Sequence, residues 1–262
     1  MGTLLALASA GLDYGLLLFL RVSGLTLSSP IFGRENIPPA VKISYSLALT
    51  YFFFTMLPAG GSVAYSGLLA FVLLCAKELL IGLVMGYLLT LFFSAAFTAG
   101  QLIDMQMGFG MANVFDEQSN ASVPMLGNLL NVMMMLVFIA SDGFERLLAM
   151  LNMTFQYIPV GQVAFSMDVV WTIVALFCEA FLLGLRMALP VIVAALLGEA
   201  ALGVLARTVP QMNVFVLGLP MKVLLGFLVI LSVLPVYGAL SGEIFERMFA
   251  GIEQVFAGLI GA

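Results

Sequence analysis

Residues 198–222 read GEAALGVLARTVPQMNVFVLGLPMK, a polar island that decides how the apolar runs on either side are divided. Arg207 and Lys222 bracket it, Pro210 and Pro220 punctuate it, and Gln211, Asn213 and Phe215 lie between. Proline lacks a backbone donor and restricts the residue before it, so the spacing predicts a helix ending near Ala206 and a new one starting beyond Gln211. The island is a joint between two apolar segments.

Outward from the joint, the chain is of membrane composition. Its 262 residues are 63% hydrophobic and 9% charged, against about 25% charged residues in globular domains, and the mean hydropathy is +1.18. These values predict an all-α integral membrane protein, its helical hairpins forming a single embedded unit over 1–262. Fourteen acids against nine bases give a net charge of −5, which argues against a nucleic-acid partner. Cys75 and Cys178 sit in apolar segments and read as small hydrophobes, so neither a disulfide framework nor a thiolate metal site is expected. With no histidine, imidazole chemistry is excluded. No cofactor is expected.

The first charge is Asp13 and no base precedes Arg21, unlike the basic start of a secretory signal, so the first apolar segment is expected to be retained. Arg34 and Lys42 assign loop 33–42 to the cytoplasm by the positive-inside tendency. With a spanning length of about 20 residues, apolar helices are predicted near 4–29, 40–57, 66–103, 123–140, 169–190, 191–206 and 213–238. Pro38 and Pro39 suit the first turn of the second helix. The run 66–103 is too long for one upright span; either it bends near Lys77 and Glu78 into a hairpin, or a long helix projects beyond lipid.

Within that run Gly82, Gly86, Thr90, Ser94 and Thr98 recur every four residues and keep one ridge small for about four turns. Small ridges let backbones approach closely. Two readings are open: packing within the chain, or a seam between subunits.

Segment 104–122 mixes Met105, Met107, Met111, Phe109 and Phe115 with Gly108 and Gly110 before a polar, acidic end. Adaptable thioethers and a glycine-released backbone suit a soft apolar constriction, and such constrictions exclude ions by dewetting. The plain alternative is a connecting loop whose methionines cover apolar neighbours.

Asp13, Arg21, Lys77, Glu78, Glu179, Arg186 and Glu199 fall inside apolar segments, where each would be costly facing lipid. They are expected to face protein, water or each other, as buried charges. Glu179 and Arg186, seven apart, share a helix face and are expected to pair directly or through water; a proton relay is the alternative. Beyond Ser241, read as an N-cap, residues 241–262 are expected to form an amphipathic helix. Its stripe is Ile244, Met248, Ile252, Val255, Phe256 and Leu259, and its acidic remainder favours docking on a partner over anionic lipid. Trp171 reads as an interfacial anchor.

R-x-x-P-Q-x-N-x-F followed by G-x-P-x-K in the joint resembles the C-terminal part of the flagellar export-gate R subunit, the FliR family, and its virulence type III secretion relatives. GRENIPPAVK at 33–42 is similar to that family's basic, proline-bearing first loop, and Gly100–Gly108 to the approach to its central loop. The match runs on through Asp116, Pro124, Gly143, Pro159 and Ala188–Pro190; Glu117 and Phe144 stand where many relatives carry proline and histidine.

The resemblance implies a non-enzymatic subunit. It joins P and Q subunits, and the B and A subunits, in a helical export gate at the inner membrane, within the flagellar basal body. Unfolded proteins are the cargo, and Met105 to Phe115 match the family's plug loop. The alternative from the residues is a proton-coupled secondary transporter of a small solute, whose halves are often related by repeat; only LIGLVMG at 80–86 and LLGLRMA at 182–188 echo one another. An intramembrane enzyme ranks last, for want of a nucleophile with its base.

Overall fold

The computed structural model describes residues 2–57, 65–109, 124–162, 166–209 and 214–260, with side chains omitted for 2–10, 214, 215 and 260. The described residues form seven α-helices and no strand: α1 (Gly2–Ser28), α2 (Pro39–Met56), α3 (Leu68–Met107), α4 (Met125–Ala140), α5 (Gly143–Tyr157), α6 (Met167–Thr208) and α7 (Val214–Ile260). Helices α3, α6 and α7 are each long and apolar enough to cross a membrane. Their 40, 42 and 47 residues correspond to roughly 60–70 Å at 1.5 Å per residue, about twice the thickness of a bilayer's hydrocarbon core.

Several sequence expectations need correction. The run at 66–103 neither bends at Lys77 nor ends at 103, but continues as one helix to Met107. Adjacent charges do not break a helix when one of them, Glu78, finds a counter-ion on α1. The expected pair 169–190 and 191–206 is the single helix α6, with Pro190 inside it. Pro220 and Pro235 lie inside α7, as in the helix expected at 213–238. Packed membrane helices tolerate interior proline because neighbours re-satisfy backbone groups, and near Pro190 the buried Tyr237 hydroxyl donates to the Met187 carbonyl at 3.0 Å.

Ser241 is no N-cap; it lies within α7 and its hydroxyl donates back to the Tyr237 carbonyl at 2.7 Å. The tail is thus the end of α7. Every member of its predicted apolar stripe, from Ile244 to Leu259, is buried inside this chain. A Cβ at Gly251 or Gly258 would touch Leu176 or Val169 of α6 at 2.6 and 3.2 Å, so the expected docking partner is the chain's own α6.

Helix α5 was not predicted at all. Its buried Leu147, Met150, Leu151, Thr154 and Phe155 form a face at helical spacing, but Glu145, Arg146, Asn152 and Gln156 keep it below the hydropathy of a span. It follows α4 after Asp142 at φ 55°, a left-handed corner that aspartate tolerates better than most residues.

The helices contribute to two compact units, Met1–Leu91 with Gly143–Leu176 and Met248–Ala262, and Phe92–Asp142 with Phe177–Arg247. In the first, α1 buries Leu17, Leu18, Val22 and Leu25 while α3 buries Ile81, Met85, Leu88 and Leu89. Gly24 of α1 and Gly82 and Gly86 of α3 allow the two backbones to touch: a Cβ on Gly24 would meet the Leu79 carbonyl oxygen at 2.6 Å, and one on Gly82 would collide with that of Arg21. In the second unit Phe93, Phe138 and Phe245 meet with ring centroids 5.2–5.8 Å apart. There Gly184 of α6 lies against Ala95 of α3, whose carbonyl oxygen would be 2.7 Å from an added Cβ.

Candidate functional site

Three charged arrangements and one helix junction account for most residues singled out above. In the first unit Arg21 and Glu78 are wholly enclosed, with Arg21 Nε donating to Glu78 Oε2 at 2.6 Å. The rest of the guanidinium donates to the last carbonyls of α5: Nη1 to Thr154 O at 3.0 Å and Ile158 O at 3.1 Å, and Nη2 to Ile158 O at 3.2 Å. A cation suits this position because unpaired carbonyls make a helix C-terminus negative. Glu78 Oε1 accepts from the Gly161 amide at 2.8 Å, and the Phe155 ring lies 4.8 Å below the guanidinium carbon. One ion pair therefore fastens α1, α3 and the end of α5. The sequence flagged both charges without showing that they meet.

In the second unit Lys222 donates to Glu199 across the joint, coupling α6 to α7. Arg247 donates to Glu179 and, through Nε at 3.0 Å and Nη2 at 2.8 Å, to Glu243. Glu179 therefore pairs with α7 rather than with Arg186, which is exposed. Glu179 and Arg186 stand two turns apart, about 10 Å along the axis, and Arg247 takes the carboxylate instead. Lys77 is half-buried. Asp13 accepts from the Tyr65 hydroxyl at 2.8 Å, and this bond holds the phenol above its ordinary pKa. Arg207 lies exposed in the last turn of α6, where the helix dipole favours a cation. Pro210, Gln211 and Asn213 lie outside the described residues, as does the Phe215 side chain.

The small ridge divides. A Cβ at Gly82 or Gly86 would strike α1, and Thr90 donates to the Ser28 carbonyl at 2.6 Å. Residues 82, 86 and 90 therefore pack within the chain, which corrects the seam reading for this half. Ser94 is exposed and Thr98 half-buried further along.

The plug-like segment starts later than the sequence suggested, since Asp104–Met107 are the last turn of α3. Gly108, at φ 87°, ends the helix in the left-handed region that glycine adopts without strain. The Phe109 amide reaches back to the Asp104 carbonyl at 3.0 Å and the Gly108 amide to that of Met105 at 3.2 Å. Met107 is buried against Gly226 of α7, Phe109 lies with its centroid 6.3 Å from that of Phe227, and Met105 is 74% exposed. Gly110, Met111 and Phe115 lie outside the described residues.

Sequence reading missed Asp104. Helix α4 starts after Pro124 without a side-chain cap from its own segment. The Asp104 carboxylate fills that role, accepting from the Leu126 amide at 3.1 and 3.2 Å and from Gly127 at 3.3 Å. One turn earlier, a Cβ at Gly100 would collide with the Gly127 backbone. Glycines at 100 and 127 with an acid at 104 were the only sequence signal.

Long apolar helices, charges resolved into interhelical pairs and glycine-mediated backbone contacts define an all-α integral membrane protein. Over residues 13–248 the chain matches the family described as bacterial export proteins, family 1, and it belongs to that family, the FliR family. It is 32% identical over 250 residues to the flagellar biosynthetic protein FliR of Bacillus subtilis (strain 168), covering 94% of this chain and 95% of that one. FliR of Escherichia coli (strain K12) is 28% identical over 240 residues, covering 92% and 91%. FliR of Aquifex aeolicus (strain VF5) is 28% identical over 241 residues, covering 91% and 92%. Membership supports a role in flagellar export, within a membrane-embedded export apparatus, rather than the transport of a small solute.

Proposed function

We propose that the chain is a non-enzymatic subunit of the flagellar type III export gate in the bacterial inner membrane, at the basal body. It combines with P and Q subunits, and with the B and A subunits, around a pore for unfolded flagellar proteins. The observation that carries this reading is the mismatch between helix length and lipid. Three helices about twice the hydrocarbon thickness expose large apolar side chains such as Leu73, Phe181, Leu197 and Leu231 along their lengths. Neighbouring polypeptides solvate such surfaces where lipid does not reach. Ser94, exposed, and Thr98, half-buried, continue the small ridge beyond the α1 contact and form the part of it that faces a neighbouring subunit in this reading.

Gly108, Phe109, Gly110, Met111 and Phe115 form the plug, and Met105 and Met107 lie at its base in the last turn of α3. Gly108 releases the chain from α3 at this point, and the residues beyond it carry the adaptable side chains that close a pore by excluding water and yield to a passing polypeptide. The joint, held by Lys222 on Glu199 and including Arg207, Pro210, Gln211, Asn213, Phe215 and Pro220, keeps α6 and α7 together behind it. Deleting residues 108–115 is expected to leave the gate assembled but leaky to ions and small solutes, measured as conductance across membranes containing the complex. A deleted gate that assembles and still seals would overturn the plug assignment.

A further inference from the structure

We infer that Asp104 is the positioning residue of the plug, holding both ends of the connection that leaves α3 and returns at α4. The inference rests on the plug reading above and adds the device that fixes the two helix ends between which the segment runs. Asp104 is 6% exposed and makes two different attachments. Its main-chain carbonyl accepts the Phe109 amide at 3.0 Å, the 6→1 bond of a helix stop whose left-handed residue is Gly108. Its carboxylate accepts the Leu126 and Gly127 amides at 3.1–3.3 Å. The last described residue before the connection and the first turn after it are thus tied to one residue.

Among the described residues, local chemistry provides no substitute. Pro124 at the N-cap has no side chain able to accept, and α4 has no acid in its first turn. A helix start leaves its first amides unpaired, and an anion there is favoured by the dipole. Elsewhere a Ser, Thr, Asp or Asn at the N-cap does this work; here the cap comes from 22 residues upstream, so it links two helices as well as ending one. Gly100 and Gly127 bring the backbones so close that a short carboxylate one turn later reaches the amides directly. Losing the carboxylate leaves buried donors unmet, and the α4 start is then free to part from the end of α3.

The test uses the complete gate carrying Asp104→Ala, Asp104→Asn or the 108–115 deletion, with two readouts. One is conductance. The other is the distance distribution between spin labels at Met105 and Met125, both exposed, with Cys75 and Cys178 replaced by alanine. Asp104→Ala is expected to broaden the distribution and raise the leak roughly tenfold, the scale of losing one helix cap. Asp104→Asn, which keeps one acceptor oxygen, restores most of both. If the deletion leaks but Asp104→Ala matches wild type in both readouts, the positioning role is overturned and the plug stands. If the deletion does not leak, the plug reading fails, and the label distribution in Asp104→Ala alone decides whether the residue fixes the two helix ends. Should Asp104→Ala not assemble, the label distribution of the full chain in detergent decides: one broader than wild type supports the inference, and an identical one overturns it.

Discussion

Glu78→Ala is expected to remove most of the chain from the membrane fraction. Arg21 would keep its bonds to the Thr154 and Ile158 carbonyls but lose the carboxylate that pairs with it in its wholly enclosed site. Breaking a buried pair by deleting one partner costs about 3–5 kcal/mol, because the remaining charge has neither water nor a counter-ion. That is a large share of the roughly 5–15 kcal/mol by which folded domains are stable. The Gly161 amide would also lose its acceptor. The double variant Arg21→Met, Glu78→Leu separates charge from packing, since apolar residues of similar volume replace a buried pair at little cost. It is expected to recover much of the loss but not all, because the α5 carbonyls lose their donors. Membrane-fraction yield and the Tm in detergent are the measurements. A Glu78→Ala chain with wild-type yield and Tm would show that water reaches Arg21.

The parts legible in the sequence are those written in periodicity. The stripe at 244–259 could be read because one helix face repeats at 3.6 residues whichever partner covers it, and all six of its members are buried. What covers them was not legible, since the α6 residues beside Gly251 and Gly258 lie some eighty residues away. The boundary expected at Pro190 was over-read. Proline removes one donor, and where helices pack tightly the loss is local, so α6 continues through Pro190 just as α7 does through Pro220 and Pro235. Helix α5 was overlooked because a search for spans of about 20 apolar residues passes over a 15-residue amphipathic helix.

Charges show the same division. A sequence tells which charges need a partner, because hydropathy exposes them, and Arg21, Glu78, Glu179 and Glu199 each have one. It does not tell which partner. Glu179 and Arg186 share a face but stand two turns apart, whereas α7 brings Arg247 alongside. Asp104 went unread for the complementary reason: an acid at the end of an apolar helix has no local mark of a cap when the amides it serves are 22 residues on.

Replacing Gly82 with leucine is expected to be as damaging as losing Glu78, by a different route. The new Cβ would lie on the Arg21 carbonyl oxygen, 2.9 Å from the Leu25 nitrogen and 3.0 Å from the Arg21 carbonyl carbon. All three are backbone atoms that no rotamer change can move. Helix α1 must therefore shift away from α3, and the shift carries Arg21 from Glu78, whose 2.6 Å contact is made just one turn earlier on α3. Because both substitutions break the same attachment, combining Gly82→Leu with Glu78→Ala should cost less than the sum of the two, as coupled neighbours do. Two controls isolate the cause. Gly203→Ala on α6 adds a Cβ with no atom within 4 Å and should be neutral or stabilise by up to about 1 kcal/mol through helix propensity. Ser94→Leu, on the exposed part of the same ridge, should accumulate normally. Loss of co-purification with the partner subunits in that variant would assign the far end of the ridge to a seam. Gly82→Leu at wild-type yield, with the Arg21–Glu78 contact intact, would mean that α1 is not held against α3 as these backbone contacts require.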